Sequence, residues 1–202
     1  MDDLNHYYEA ARNKRTKDES GKLIKTGKMR DTYYITDLLG KGAFGEVRKC
    51  IYKEDMKDKR SAIKDYRAVK ILSKSYMEEK EVLSFKNEIS SMKQINHPSI
   101  MKMHEFFEDP KRYLLVTEMC RGGDLYEYIH EKGKMDERET AICMKQVISA
   151  INYMHTELNI VHRDLKPENI LLETPNDLND LKLIDFGTAQ RFDEIGQALY
   201  DR

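Results

Sequence analysis

A stretch of eight residues combines the side chains that a phosphoryl transfer needs: HRDLKPEN, residues 162–169. Asp164 can accept the proton of an attacking hydroxyl, and Lys166, two residues further on, can reach a phosphoryl group in transfer. Asn169 offers a carbonyl oxygen, which is a ligand that Mg²⁺ accepts. Chance assembly of the whole stretch is negligible, so it predicts a phosphoryl-transfer site.

A second candidate metal ligand follows sixteen residues after Asn169. The sequence Asp-Phe-Gly at 185–187 comes directly after the apolar run LKLI, so the carboxylate of Asp185 would lie at the end of a buried strand. An isolated Asp-Phe-Gly is common and carries little information. Its position after the first motif makes Asp185 the second predicted magnesium ligand.

A glycine-rich stretch, GKGAFGEV at 40–47, lies between two strand-like runs. Glycines allow a hairpin to approach phosphates closely, because no Cβ stands in the way. The same spacing occurs in dinucleotide-binding turns that open a helix, but the run EVRKCIY at 46–52 favours a second strand instead. Alone, the motif leaves nucleotide binding and an ordinary glycine-rich turn equally open.

A lysine on a predicted strand is the candidate partner of nucleotide phosphates. Lys70, in the sequence AVK, would need a carboxylate to hold it, and Glu88 on the following predicted helix is the candidate. The sequence Ala-Ile-Lys ending at Lys64 has the same local appearance. We prefer Lys70 because AVKIL continues directly into the strand, although a single strand lysine usually lies on the surface.

The elements that would position these residues change character along the chain. Strand-like runs begin at Tyr33, a charged helix is predicted from about Tyr76 to Ile95, and two further strands, MKMHEFFE and RYLLVTEM, flank a turn at Asp109-Pro110. This order predicts an antiparallel sheet with one packed helix.

After Gly122-Gly123 the pattern becomes helical. Asp136 and Glu139 have capping-box spacing at the start of a helix over about 136–157. Its apolar residues recur close to the helical period: Ile142, Met144, Val147, Ile148, Ile151 and Met154. Short strand-like segments in NIVH, ILLE and LKLIDF follow.

Composition excludes several classes of protein. The 202 residues are 40% hydrophobic, and 35 basic against 36 acidic residues give a net charge of −1, which argues against bulk nucleic-acid binding. The three cysteines form no Cys-x-x-Cys pair, so we expect neither a zinc site nor a disulfide framework. No apolar run reaches the roughly 18 residues of a membrane span. Without a secretory or myristoylation signal at the N-terminus, we expect a soluble, cytoplasmic protein.

Together and in this order, the motifs resemble the signature of the protein kinases, from about Tyr34 to the end of the chain. The resemblance implies an α+β, bilobal, protein-kinase-like fold, with an antiparallel β-sheet N-lobe carrying one main helix and an incomplete, mainly helical C-lobe. The implied parts are a flexible polar tail (1–31), the N-lobe (32–117), a hinge (118–123) and a partial C-lobe (124–202). For the tail, a basic docking segment is the alternative.

The resemblance also implies ATP and Mg²⁺ as cofactors and assigns the site residues. Asp164 would be the catalytic base, assisted by Lys166, while Asn169 and Asp185 would hold the metal. The residues assigned to nucleotide binding are Leu39, Gly40, Gly42, Gly45, Val47, Ala68, Lys70, Glu88, Thr117, Glu118, Cys120, Asp124 and Leu171. Among these, Ala68 and Leu171 would sandwich the adenine, Glu118 and Cys120 would bond it, and Thr117 would be the gatekeeper.

Lys-Pro-Glu after the catalytic Asp is similar to serine/threonine kinases. Longer stretches, among them AVKILSKS and HTELNIVHRDLKPENILLE, resemble the calcium/calmodulin-dependent group and above all the calcium-dependent kinases of protists and plants. The implied partners are protein Ser/Thr substrates and a calcium-sensing region beyond Arg202. Asp124 and Glu168 would read a basic residue upstream of the target hydroxyl. Thr188, where this subfamily often has Leu, departs from the pattern.

Only seventeen residues follow Asp185, without an Ala-Pro-Glu motif, large C-lobe helices or EF-hand loops. We therefore expect the isolated chain to be poorly folded or inactive. A noncatalytic module that binds ATP or a partner is the alternative function. A small-molecule kinase is a third, against which Lys166 and Glu168 argue because those positions suit a peptide hydroxyl.

Overall fold

The computed structural model describes residues 28–42, 45–57 and 65–192. These residues fall into two compact units, one within Met1–Met77 and Met103–Glu118 and the other within Glu78–Lys102 and Met119–Arg202. Most of the predicted tail, the alternative lysine Lys64 and the last ten residues of the chain lie outside the described residues. The predicted domain limits stay a prediction, and the helix that they assign to the N-lobe belongs to the second of these units.

The first unit is built on an antiparallel sheet of five strands in the order β1-β2-β3-β5-β4. The strands are β1 (Tyr33–Gly42), β2 (Gly45–Tyr52), β3 (Tyr66–Ser73), β4 (Met103–Glu108) and β5 (Arg112–Thr117). Short helices α1 (Met29–Thr32) and α2 (Lys53–Lys57) and a 3₁₀ turn (Lys74–Tyr76) accompany them. Runs of β-branched and aromatic residues bounded by glycine and proline explain why all five strands were predictable.

A buried cation fastens the start of β1 to the middle of the sheet. Arg67 on β3 is only 1% exposed, and its guanidinium donates to the Tyr33 hydroxyl at 2.9 Å and to the Asp65 carboxylate at 3.2 Å. The Tyr52 hydroxyl donates to the carboxylate of Glu105 at 2.9 Å. Because buried charges are costly unless they are paired, these bonds make the register of β1 specific.

The first described helix differs from the sequence prediction. Residues 29–31 were predicted to belong to a flexible polar tail, yet they form part of α1. Met29 is 5% exposed and packs in the same core as Tyr33 and Phe107. An apolar side chain in an otherwise charged stretch explains the difference, since its burial anchors the segment.

The second unit contains three longer helices and two small sheets. The helices are α3 (Glu79–Met92), α4 (Leu125–Lys132) and α5 (Glu137–Glu157). The strand pairs are β6 (Ile160–Val161) with β9 (Gln190–Arg191), and β7 (Ile170–Leu172) with β8 (Leu181–Leu183). The predicted helix over 76–95 is shorter than expected, because Glu78 and Glu81 form a capping box that starts it at Glu79.

The predicted capping box of α5 is confirmed. The carboxylate of Asp136 accepts the Glu139 amide at 2.8 Å, and the Glu139 carboxylate accepts the Asp136 amide at 3.0 Å. The predicted apolar face is only partly buried: Met144 and Ile148 are 46% and 57% exposed. The fully buried positions of this helix are Cys143, Ala150 and Met154.

The mixed sheet-and-helix architecture confirms the predicted α+β class. Within residues 28–42, 45–57 and 65–192, no helix is both long and apolar enough to cross a membrane.

Candidate active site

In the second unit, the loop between β6 and β7 carries the predicted catalytic base. The carboxylate Oδ2 of Asp164 accepts from the Lys166 ammonium at 2.8 Å and from the Asn169 side-chain amide at 2.9 Å. The Lys166 hydrogen bond is the main cause that lowers the pKa of Asp164, with a smaller contribution from Asn169. The carboxylate is therefore ionised at neutral pH, as a proton acceptor requires.

His162 holds this loop against the strand that leads to Asp185. The Asp164 amide donates to His162 Nδ1 at 3.3 Å, so the ring carries its proton on Nε2, which donates to the Ile184 carbonyl at 2.9 Å. Burial is the main cause that lowers the pKa of His162, which favours the neutral ring. The Phe186 ring packs edge-on against it at 5.0 Å. One imidazole thus connects the two predicted motifs.

The two predicted metal ligands lie on neighbouring backbone segments. The Ile184 amide donates to the Asn169 carbonyl at 2.9 Å, which places Asp185 one residue beyond a direct contact with Asn169. The Asn169 side chain is 6% exposed, and both of its hydrogen bonds to Asp164 use Nδ2. The side-chain oxygen of Asn169, Oδ1, takes no part in those two bonds and is the atom that a metal would use.

The side chains of Asn169 and Asp185 suit Mg²⁺, which completes its coordination with water and phosphate, better than they suit a metal that is coordinated by protein ligands alone. Among the described residues, no three His, Cys, Asp or Glu side chains come together as a metal cluster. Mg²⁺ is commonly held by one or two carboxylates together with water and substrate phosphates. One amide oxygen and one carboxylate, from Asn169 and Asp185, are compatible with that pattern.

Asp185 adopts a backbone conformation that is rare for residues other than glycine. Its φ is +64°, and Gly187 donates its amide to the Asp185 carboxylate at 3.3 Å. On the other side, the Ser84 hydroxyl of α3 donates to the Gly187 carbonyl at 2.7 Å. Strained backbone at a position with a chemical role is often part of the function.

Two residues of this region were missed as positioning groups by the sequence analysis. Arg163, with φ at +69°, donates to the Thr188 carbonyl at 2.5 Å and to the Gln190 side chain at 2.7 Å. The Thr188 hydroxyl donates in turn to the His162 carbonyl at 3.0 Å. No local pattern reveals such bonds, since their partners lie more than twenty residues apart in sequence.

The first unit places the glycine-rich stretch beside Lys70. Val47 on β2 faces both Gly40 on β1 and Lys70 on β3, and Ala68 faces Thr117 on β5. Residues that are paired across strands share a face of the sheet, so the side chains of Val47, Ala68 and Lys70 lie on one face. Strands β1 and β2 lie on either side of the glycine-rich turn and pair with each other, which confirms the predicted hairpin. A dinucleotide-binding turn, which would be followed by a helix, is excluded.

The remaining predicted nucleotide-binding residues belong to their units as follows. In the first unit, Leu39 is exposed at 45%, and Thr117 and Glu118 are half-buried. In the second, Cys120 is half-buried and Glu88 is buried on α3. Asp124 caps α4 by accepting the Glu127 amide at 2.8 Å and lies opposite Leu171 in an isolated β-bridge.

Comparison with known protein families matches residues 33–200 to the family described as "Protein kinase domain". The chain belongs to the protein kinase family. It is 39% identical over 171 residues to "Calcium-dependent protein kinase 3" of Plasmodium yoelii yoelii, an alignment that covers 84% of the chain and 30% of that relative. It is 42% identical over 179 residues to "Calcium-dependent protein kinase 4" of Plasmodium berghei (strain Anka), with 84% and 32% covered.

A third relative is named as a calcium/calmodulin-dependent kinase. "Calcium/calmodulin-dependent protein kinase type 1" of Macrobrachium nipponense is 37% identical over 180 residues, covering 89% of the chain and 48% of that protein. The chain thus spans less than half the length of these curated relatives. The predicted resemblance to the calcium- and calmodulin-dependent kinases is confirmed. The individual site assignments and the Lys70–Glu88 pair stay predictions.

Proposed function

We propose that the chain carries the catalytic residues of a serine/threonine protein kinase, which transfers the γ-phosphoryl group of ATP to a hydroxyl of a protein substrate. The observation that carries the proposal is the cluster of Asp164, Lys166 and Asn169, with the bonds to Asp164 at 2.8 and 2.9 Å. It unites an ionised base, a cation and an amide oxygen within six residues.

In the proposed reaction, the substrate hydroxyl oxygen forms a bond to the γ-phosphorus as the bond to the bridging oxygen of ADP breaks. The Asp164 carboxylate accepts the hydroxyl proton. The Lys166 ammonium offsets charge on the transferring group, while Asn169 and Asp185 would hold the metal. Mg²⁺, when bound, supplies charge neutralisation at the phosphate oxygens.

Residues that would contact the nucleotide are proposed within each unit separately. In the first, Gly40, Gly42 and Gly45 would cover the phosphates and Lys70 would contact them. In the second unit, Cys120 would bond the adenine. The β2–β3 register, which brings Val47 opposite Lys70, supports the assignment in the first unit.

A preference for a basic residue upstream of the target hydroxyl is part of the proposal. Glu168 is exposed in the loop that holds Asp164, so its carboxylate is available to a substrate cation. Asp124 uses one carboxylate oxygen as the cap of α4. We therefore expect Glu168 to contribute more to this preference. Control by calcium, which the names of the relatives suggest, stays a prediction.

The test is a phosphate-transfer assay on the intact protein with Mg-ATP and a pair of serine peptides that differ in one upstream Arg or Ala. Transfer that Asp164→Ala abolishes, and that the matched exposed variant Glu131→Ala leaves unchanged, would support the proposal. Equal rates on both peptides would remove the basic preference alone. Nucleotide binding without transfer would instead favour the noncatalytic alternative.

A further inference from the structure

His97 lies in the segment that follows α3, the helix that carries Glu88, and precedes β4. Its ring contacts α5: Nε2 lies 3.0 Å from the Ser149 hydroxyl, and the Tyr153 ring is 5.3 Å away. The Tyr153 hydroxyl accepts the Asn96 amide at 3.0 Å. The connecting segment, residues 93–102, is therefore fastened to α5 at two successive residues.

The other ring nitrogen organises the backbone of the same segment. The Ser99 amide donates to His97 Nδ1 at 3.1 Å, which requires that Nδ1 carry no proton. The neutral ring then has its proton on Nε2 and donates it to Ser149. Pro98 restricts the backbone of His97 to extended conformations, which limits the freedom of the imidazole before these bonds form.

Immediately after this turn, the connecting segment pairs with β8. The Leu183 amide donates to the Ser99 carbonyl at 2.9 Å, and the Met101 amide donates to the Leu183 carbonyl at 3.0 Å. Ile100 and Leu183 form a parallel bridge and are 1% and 2% exposed. Asp185 stands two residues beyond Leu183. The position of this short strand pair therefore determines where the Asp185 carboxylate lies.

The surroundings of His97 favour the neutral ring. Burial is the main cause that lowers the pKa of His97, and the nearby Lys182 ammonium lowers it further. Lys182 belongs to β8, donates to the Pro98 carbonyl at 2.8 Å and lies 3.7 Å from the Glu173 carboxylate. From α5, Tyr153 is the titratable group against the ring. Protonation of Nδ1 would remove the acceptor of the Ser99 amide.

We propose that His97 is a positioning residue for phosphoryl transfer: its neutral ring ties residues 96–99 to α5 and so holds β8 and the metal-binding carboxylate of Asp185 in place. The proposal rests on the function proposed above. It assigns His97 no contact with substrate, nucleotide or metal. Its effect is expected in the concentration of Mg²⁺ that the reaction needs.

The test compares His97→Leu with His97→Asn in the intact protein. Leucine keeps bulk but removes both ring nitrogens, whereas the asparagine side chain can still accept an amide two residues on, as in an Asx turn. Loss of roughly one hydrogen bond's free energy corresponds to about a 5- to 10-fold change. We expect His97→Leu to raise the Mg²⁺ concentration for half-maximal transfer by about that factor. His97→Asn, which can keep the Ser99 bond but not the contact with Ser149, should restore only part of it.

Amide hydrogen exchange at Leu183 and Met101 provides a readout that needs no activity. His97→Leu should speed exchange at both amides, while His130→Leu, an exposed histidine of α4, should change neither exchange nor Mg²⁺ dependence. Unchanged exchange and unchanged Mg²⁺ dependence in His97→Leu would overturn the proposal. Lower stability with unchanged Mg²⁺ dependence would also overturn it, because His97 would then be merely structural.

The two proposals fail differently. If the parent protein transfers no phosphate, the proposed function fails. The role of His97 is then decided by two other measurements: amide hydrogen exchange and the Mg²⁺ dependence of ADP binding. In a parent that does transfer phosphate, the acid side of the pH profile gives a further check. As the pH falls, the Mg²⁺ requirement should rise more steeply in the parent than in His97→Leu.

Discussion

The side-chain amide of Asn169 donates to both the carboxylate and the main-chain carbonyl of Asp164, at 2.9 and 2.8 Å. The predicted metal ligand is therefore also the group that orients the predicted base. Asn169 is buried and Asp164 half-buried, so the more rigid residue fixes the more accessible one. Substitution of Asn169 should disturb metal binding and base geometry together.

We predict that Asn169→Ala lowers kcat and raises the Mg²⁺ requirement, each by at least about 10-fold, as is typical when a metal site loses a supporting group. The variant also loses two hydrogen bonds to Asp164, one of them to a charged oxygen. We expect the free energy of unfolding to fall by about 1–3 kcal/mol.

Mg²⁺ titrations of peptide phosphorylation and urea unfolding measure the two effects. Asn179→Ala is the matched control, since Asn179 bonds to Asp177 in an exposed loop. If Asn169→Ala lost stability but kept its Mg²⁺ dependence, Asn169 would orient Asp164 without binding metal.

Lys166 controls the protonation of Asp164, and this gives a second prediction. The ammonium at 2.8 Å favours the carboxylate and lowers the pKa of Asp164. Lys166→Met removes that charge, so the pKa of Asp164 should rise towards its ordinary value. The base then gains its proton at a higher pH, and the acid limb of kcat/KM moves to higher pH.

Carboxyl-carbon NMR of Asp164 over an acid titration measures this shift directly. Lys145→Met, which removes an exposed lysine from α5, serves as the control and should leave the titration unchanged. A titration of Asp164 that is the same in Lys166→Met and the parent would mean that groups other than Lys166, Asn169 first among them, maintain the low pKa.

The fold was predictable where local pattern and tertiary role coincide. The five strands of the first unit were recognised because apolar and β-branched runs are bounded by turn residues. Helices α1 and α2 span four and five residues, which is too short for a helical period to show. On α5 the periodicity was recognised, but the small buried residues Cys143 and Ala150 were not counted among the apolar positions, and exposed Met144 and Ile148 were.

The candidate site was predictable in its identities but not in its connections. Asp164, Lys166 and Asn169 are near in sequence, so their proximity follows from the motif itself. By contrast, His162 reaches the Ile184 carbonyl across 22 positions, and His97 reaches Ser149 across 52. Such bonds depend on how helices and strands pack against each other. No local sequence signal shows that a histidine connects two of them by hydrogen bonds.

The third prediction concerns Gly45, the glycine of the hairpin at which the fold leaves no room for a side chain. A Cβ at this position would lie 1.9 Å from the backbone oxygen of Ile71, whereas one at Gly42, its cross-strand partner, would meet nothing within 4 Å. Gly45→Ala must therefore move β2 away from β3. We expect a loss of about 1–3 kcal/mol in the free energy of unfolding.

Urea unfolding of Gly45→Ala and Gly42→Ala makes this comparison within one hairpin. Gly42→Ala should change stability by less than about 1 kcal/mol. Equal stabilities of the two variants would show that the sheet relaxes without cost at Gly45. A raised KM for ATP in Gly42→Ala, with stability unchanged, would support the proposed contact of Gly42 with the nucleotide.

Glu139, at the first turn of α5, provides a prediction on acid stability. Its carboxylate accepts from the Lys132 ammonium, the Asp136 amide and the Tyr128 hydroxyl, and these bonds, the first above all, lower its pKa to about 2. Because the folded-state pKa lies below the ordinary value of 4.5, the charged form stabilises the fold above that pH. This contribution is lost as the pH falls towards about 2.

Glu139→Gln should therefore have a lower urea midpoint than the parent at pH 6, and the gap should narrow as the pH falls below 4.5. Added salt should reduce the gap at pH 6 as well, because the pair with Lys132 is exposed and screened. Glu137→Gln removes a carboxylate from the same helical turn and controls for the helix dipole. A gap that stays constant from pH 6 to pH 2.5 would mean that Glu139 acts through hydrogen bonds that a neutral amide also makes, and that its charge adds nothing.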